Sequence, residues 1–182
     1  MALTQLNTEQ LVAKCREQNQ NAQLEIYNRY YKAMYNTAQR IIKDQAEAED
    51  VMQESFLTAF TKLHMLDDNA LFGALFNRNV INASLTATRK KDVHREVALE
   101  NVEYTLTDTN DVIEKDVAKA KVHTIMNTLS QLKGSYSTAL SLHLIEGYDY
   151  EEISEIMNIS YGNCRTLISR AKESLRKKLQ FV

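Results

Sequence analysis

Apolar residues recur at steps of three and four along most of the chain, the period of an amphipathic helix. Leu24, Tyr27, Tyr31, Met34, Ala38 and Ile41 build one stripe and predict a helix over about 22–43. Val51, Met52, Ser55, Phe56, Ala59, Phe60 and Leu63 build a second, over about 45–66, with Asp44 as its cap. Asp50, Gln53, Glu54 and Leu57 lie off that stripe. A shorter helix over 8–18, with Thr8 as cap, precedes both, and the run Asn19, Gln20, Asn21 breaks it. Asp67, Asp68 and Asn69 read as a turn and cap before a fourth helix over about 70–90.

The period fades from 92 to 116, where eight carboxylates face two basic residues. That length and polarity read as a linker over 92–113, with a peripheral helix of a single domain as the alternative. Helices resume over 114–132, with Val117, Val122, Ile125, Met126, Leu129 and Leu132 apolar. Gly134 fits the left-handed position after that helix. Ser135 then caps a helix to about 146, with Ala139, Leu140, Leu142, Leu144 and Ile145 inside and Gly147 at its end. Asp149 caps a short helix over 150–157, Asn158 suits a left-handed residue, Ile159 anchors the turn, and Ser160 caps a helix over 161–179. The last stripe is Cys164, Leu167, Ile168, Ala171, Leu175 and Leu179. A short helix, a tight turn and a longer helix make a helix-turn-helix. The expected fold is all-α: an N-terminal helical bundle over 1–91, an acidic linker, and a C-terminal helix-turn-helix domain over 114–182.

Composition agrees with this. The 182 residues include no proline, four glycines and no tryptophan, too little punctuation for a strand-rich sandwich. Cys15 and Cys164 are far apart and outside any C-x-x-C pair, which reads as two reduced thiols in the cytoplasm. The amino-terminal segment lacks the basic start and apolar core of a signal peptide, and no run of about 18 apolar residues could span a membrane. No nucleophile elbow or phosphate-binding glycine loop occurs, and His64, His94, His123 and His143 lack ligand-like spacing. The expectation is a protein without catalysis, cofactor or metal.

The net charge of −2 hides its distribution. Residues 161–182 carry six basic side chains and one acidic. Along the first turns of that helix Asn163, Arg165, Thr166, Ser169, Arg170 and Lys172 form a polar face suited to a major groove. Arginine pairs with guanine and asparagine with adenine, while hydroxyls and lysines more often hold phosphates. Residues 70–91 carry Arg78, Arg89, Lys90 and Lys91 and no acidic residue, interleaved with Asn77, Asn79 and Asn82. With Phe72 and Phe76 as aromatic surface, such a helix suits a single strand. A bundle hairpin with a solvated basic end is the plainer alternative for the C-terminal segment, and an ordinary amphipathic helix whose basic end meets solvent for 70–91.

Three segments resemble the extracytoplasmic-function (ECF) sigma factors of the sigma-70 family. DQAEAEDVMQESFLTAF is similar to the family's D-x-x-x-A-E-D-l-v-Q-e-v-F signature. FGALFNRNVINASLTATRKK matches its promoter-melting helix at Phe72, Asn82 and Arg89, with Leu75, Asn79 and Thr86 in place of the usual tryptophan, isoleucine and aspartate. EGYDYEEISEIMNISYGNCRTLISRAKESL matches its helix-turn-helix at Glu152, Ile153, Gly162, Arg170, Ala171 and Leu175, and departs from it at Asn163, Cys164 and Leu167. The resemblance implies that Asp50, Gln53, Glu54 and Leu57 bind core RNA polymerase at its largest subunits. It implies that Arg78, Asn79, Asn82, Arg89 and Lys90, with the loop 64–69, hold an opened −10 element and a flipped base. It implies that Asn163, Arg165, Thr166, Ser169, Arg170 and Lys172 read a −35 element. The linker would follow the path of nascent RNA inside the polymerase, and an anti-sigma factor would be a further partner. A helix-turn-helix regulator acting without the polymerase is the rival reading. A helical interaction protein without DNA binding is the other. Arg165→Ala is expected to weaken −35-dependent binding by about 1–3 kcal/mol through loss of a bidentate base contact. Competition between promoter variants measures it.

Overall fold

A computed structural model describes residues 3–95 and 117–180. No strand occurs among them, and the chain divides into two compact units, Met1–Lys91 and Asp92–Val182. The N-terminal unit opens with a 3-10 turn, Leu3–Gln5. Its α-helices are α1 (Thr8–Arg16), α2 (Gln20–Ile42), α3 (Gln45–Thr61) and α4 (Phe72–Arg95). Two further 3-10 turns, Leu63–Met65 and Asn69–Leu71, join α3 to α4.

Local side chains set the helix starts. Asn7, not Thr8, caps α1: its side chain accepts from Gln10 N–H at 2.9 Å while the Gln10 side chain accepts from Asn7 N–H at 3.1 Å. The two satisfy donors that a helix start leaves orphaned. Asn19 caps α2, so that helix starts two residues before the expected position, and Asp44 caps α3 as expected. The α2 interior runs through Ala22, Ile26, Met34, Ala38 and Ile42, which places Leu24 on the opposite face, 57% exposed. Helix α3 stops at Thr61 rather than 66, and a 3-10 turn, Leu63–Met65, carries the chain on with Leu63 buried and Leu66 half-buried against the core. Helix α4 continues to Arg95, four residues into the stretch read as linker; the rest of that stretch, 96–113, lies outside the described residues.

The core of this unit is aromatic where α2, α3 and α4 meet. Phe56 lies 4.7 Å from Tyr27 and 4.5 Å from Phe76, ring centre to ring centre. Tyr30 packs edge-on to Phe72 at 5.5 Å. Its hydroxyl leaves so little room at Gly73 that a Cβ there would lie 2.9 Å from it, so any side chain at that position would push the Tyr30 ring from its seat on Phe72.

In the second unit α5 (Val117–Ser130), α6 (Gly134–Leu144), α7 (Tyr150–Met157) and α8 (Tyr161–Leu179) enclose Leu129, Leu140, Leu142, Ile153, Ile156, Cys164, Ile168 and Ala171. Residues 114–116 lie outside the described residues. Gly134 is the first residue of α6 rather than a left-handed terminator, and Lys133, not Ser135, holds the cap position. The chain needs no positive φ there, since Leu132 N–H bonds back to Leu129 O in an ordinary turn. Gly147 does take a positive φ of 81° and ends the turn after α6. Val122, Ile125, Leu144 and Ile145 are exposed rather than internal, while α6 and α8 each pack against the other three helices.

The helix-turn-helix follows its sequence signals. Asp149 and Glu152 form a reciprocal cap on α7, Asn158 adopts the left-handed conformation at φ 54°, and Ser160 caps α8. Ile159 is half-buried. Asp149→Ala is expected to cost about 0.5–2 kcal/mol. Urea unfolding, together with faster amide exchange within α7, measures the loss.

Candidate nucleic-acid interface

Three exposed surfaces carry the residues singled out by the sequence. On α3, Asp50, Gln53, Glu54 and Leu57 sit at helical steps of three, one and three, and all four are exposed. The opposite side of the same helix buries Val51, Met52, Ser55 and Phe56. Burial of that stripe is what turns the two carboxylates, the amide and Leu57 outward, and Leu57 is 69% exposed.

The second surface is a cavity of about 270 Å³ between the end of α3, the connecting loop and the start of α4. Leu63, Met65 and Leu66 wall one side, and Phe72, Leu75 and Phe76 the other. Lys62 and Asn79 bring a charge and an amide to this apolar lining. Leu75, where the resemblance has a tryptophan, is half-exposed at 50%. Phe72 and Phe76 correct the sequence reading. They are buried in the core with their rings engaged by Tyr30, Phe56 and each other, so they line the cavity from within the core rather than standing out as an exposed stacking surface. Beyond the cavity, Asn82, Arg89 and Lys90 are exposed, while Arg78 and Asn79 are half-buried. Asn79, Asn82, Thr86 and Arg89 or Lys90 share one face at steps of three and four.

Lys91 is held elsewhere. Its ammonium lies 3.4 Å from Asp44 and 3.1 Å from Glu47, which fastens the α4 end to the start of α3. The Asp44 carboxyl lies below its ordinary pKa, first through the Glu47 N–H that it accepts and then through Lys91.

The third surface is the outer side of α8. Asn163, Arg165, Thr166, Ser169 and Arg170 are exposed, opposite buried Cys164, Ile168, Ala171 and Leu175. Leu167 is half-buried. Thr166 donates to Gly162 O at 3.0 Å. Lys172 differs from the other five. It is half-buried, with its ammonium 3.4 Å from the Tyr150 hydroxyl and 5.8 Å from that ring's centre. Lys177 pairs with Glu173 at 2.7 Å, so part of the basic strip is locally neutralised.

The comparisons with known proteins bear on both units. The family model described as sigma-70 region 2 matches residues 26–93, and that described as sigma-70 region 4 matches 123–175. The RNA polymerase sigma-H factor of Pseudomonas aeruginosa is 30% identical over 189 residues, covering 98% of this chain and 96% of its own. This chain belongs to the sigma-70 family. It is an ECF RNA polymerase sigma factor, for promoter-specific transcription initiation. The ECF sigma factor SigW of Bacillus subtilis is 28% identical over 177 residues, 93% of this chain and 95% of that one. In fold, the sigma factor is similar to RpoE of Bartonella quintana, solved with the anti-sigma factor NepR, at a TM-score of 0.58 and 18% identity, over 86% of this chain and 95% of that one. CnrH, solved with the cytosolic domain of CnrY, gives 0.56 and 20%, over 95% and 97%. The rival regulator without polymerase is not favoured, since it leaves the region 2 match unexplained.

Among the described residues of the sigma factor, no group of three or more histidines, cysteines or carboxylates is placed to hold a metal, and no helix is long and apolar enough to cross a membrane. Burial raises the Cys15 thiol to about 11 and pushes the Cys164 thiol upward, which suppresses thiolate chemistry at both. The cavity left no trace in periodicity: Lys62, Met65 and Leu66 meet Leu75 and Asn79 only because the chain reverses between α3 and α4.

A group whose folded pKa lies below its unfolded value stabilises the fold above the unfolded value, and that contribution is lost as pH falls through the folded one. The urea midpoint should therefore drop below about pH 4 partly through Asp44. Asp44→Asn keeps a capping oxygen but no charge, and should flatten that part of the profile.

Proposed function

We propose that this sigma factor divides its work among the three surfaces. The outer face of α3, with Asp50, Gln53, Glu54 and Leu57, joins core RNA polymerase at its largest subunits. An acidic and amide face with one exposed leucine suits a basic helical partner. The cavity between α3 and α4 takes a base from the opened −10 strand. Arg78, Asn79, Asn82, Arg89 and Lys90 hold that strand's backbone and neighbouring bases. The outer face of α8 docks in the −35 major groove, where Asn163, Arg165, Thr166, Ser169 and Arg170 reach base edges and phosphates and Lys172 acts from its seat on Tyr150. One observation carries this reading: on α3 and on α8 alike, burial of the apolar stripe leaves the predicted contact residues outward.

The protein performs no covalent chemistry in this reading and acts in the cytoplasm. The acidic stretch beyond α4, residues 96–113, is assigned the nascent-RNA path, where its carboxylates would mimic nucleic acid. An anti-sigma factor is the proposed negative regulator, in keeping with the complex solved for RpoE of Bartonella quintana.

Reconstitution with core polymerase tests the whole: promoter-specific transcripts are expected, and their absence would sink the assignment of surfaces. Leu57→Glu adds a charge at an exposed site and should leave the fold intact. It is expected to weaken polymerase association by about tenfold, read by fluorescence titration against core enzyme.

A further inference from the structure

Helix α1 takes no part in the three surfaces, yet its polar groups reach the loop that walls the cavity. The Arg16 guanidinium, at the end of α1, donates to the Leu66 carbonyl, fifty residues along the chain. Asn69 Nδ2 donates to the Glu9 carbonyl at 3.4 Å, across sixty residues. The Thr8 hydroxyl lies 3.4 Å from that of Tyr30, whose ring packs on Phe72 and Phe76 of the opposite wall.

The loop needs such support. Between its two 3-10 turns the backbone is extended at Leu66 (φ −83°, ψ 116°) and Asp68 (φ −124°, ψ 118°). Extended connecting segments are ordinarily the mobile part of a helical domain. A guanidinium on a backbone carbonyl is a charge-assisted hydrogen bond, stronger than a neutral one. Helix α1 is itself fixed by Leu11, Val12 and Cys15, all buried in the core. A continuous chain of contacts therefore runs from the core through Arg16 to Leu66, a lining residue of the cavity.

We propose that Arg16 is a positioning residue for promoter recognition. It holds the 62–71 loop in the register that gives the cavity its shape, and so sets the discrimination among −10 bases without touching DNA. The inference rests on the reading of the cavity as the base site.

The test uses the full chain with core polymerase and a mapped promoter randomised across the −10 element, with a parallel library randomised at −35. Open complexes are recovered and sequenced. Arg16→Ala should reduce the enrichment of the preferred −10 base by about five- to tenfold, the scale of one lost base contact. Arg16→Lys keeps a charged donor and should retain most of the enrichment. Polymerase affinity and −35 selection should match the parent. Unchanged −10 enrichment in Arg16→Ala overturns the proposal, and so does an equal loss at both elements, which a general loss of fold would give. Asn79→Ala separates the two readings. If it alters −10 selection while Arg16→Ala does not, positioning fails and the cavity reading stands. If neither alters it, both fall. Should Arg16→Ala not fold, Asn69→Ala, which removes the second tie, decides: undiminished enrichment overturns the proposal and a flattened profile supports it.

Discussion

The packing of Phe56 against Phe76, 4.5 Å between ring centres, is the contact on which the N-terminal unit turns. It joins α3 to α4, and each ring also meets a tyrosine of α2. Removing a buried phenylalanine ring typically costs about 3–5 kcal/mol, a large share of a domain's margin of about 5–15 kcal/mol. The functional consequences follow from helix geometry. Successive residues advance about 100° around an α-helix, so holding Phe56 inward with Val51, Met52 and Ser55 leaves Gln53, Glu54 and Leu57 outward. On α4, Phe76 helps floor the cavity, and fixing it inward puts Leu75 and Asn79 at the lining. One aromatic contact therefore orients both the outward side chains of α3 and the side chains of α4 that line the cavity.

Around that junction a few polar ties control the parts that packing does not reach. Lys91 to Asp44 and Glu47 fastens the end of α4, and Arg16 to Leu66 fastens the loop. The Lys91 pairs are partly exposed, and such pairs contribute roughly 0–1 kcal/mol. Their value is geometric. Each joins segments more than forty residues apart and sets where a helix end or a loop stands relative to the core.

Legibility in the sequence followed the range of the interaction concerned. The helix-turn-helix was readable because its signals are local: Asp149, Asn158 and Ser160 each act within four residues, and each sits where its chemistry predicts. The outward faces of α3 and α8 were readable from period alone. Reading failed at two local caps, where Asn7 and Lys133 hold the positions expected of Thr8 and Ser135, and where a neighbour chosen by tertiary packing decides. Phe72 and Phe76 look like stacking surface until Tyr30 and Phe56 are seen to cover them. Leu144 and Ile145 look internal until α6 ends beside them. Lys172 looks free until Tyr150 is placed beside it. The Arg16 support of the cavity depends on a contact across fifty residues, and no spacing rule encodes it.

The charge distribution explains why such a chain works as a polymerase subunit rather than as a free DNA binder. Duplex affinity at working salt grows with the number of phosphates neutralised. The α8 segment, 161–182, carries six basic residues against one acidic, but Lys177 is paired to Glu173 and Lys172 is seated on Tyr150. Arg165, Arg170, Arg176 and Lys178 are left for phosphates, against a whole-chain net charge of −2. Long-range attraction to DNA is correspondingly weak. Tethering changes this, since a module held near its site binds at an effective concentration that can reach the millimolar range. In the proposed arrangement, α3 docked on the polymerase would leave α8 and the cavity needing only modest intrinsic affinities, and promoter choice would be a sum of weak terms. In that regime a positioning contact worth a single hydrogen bond is large enough to shift which promoters are opened.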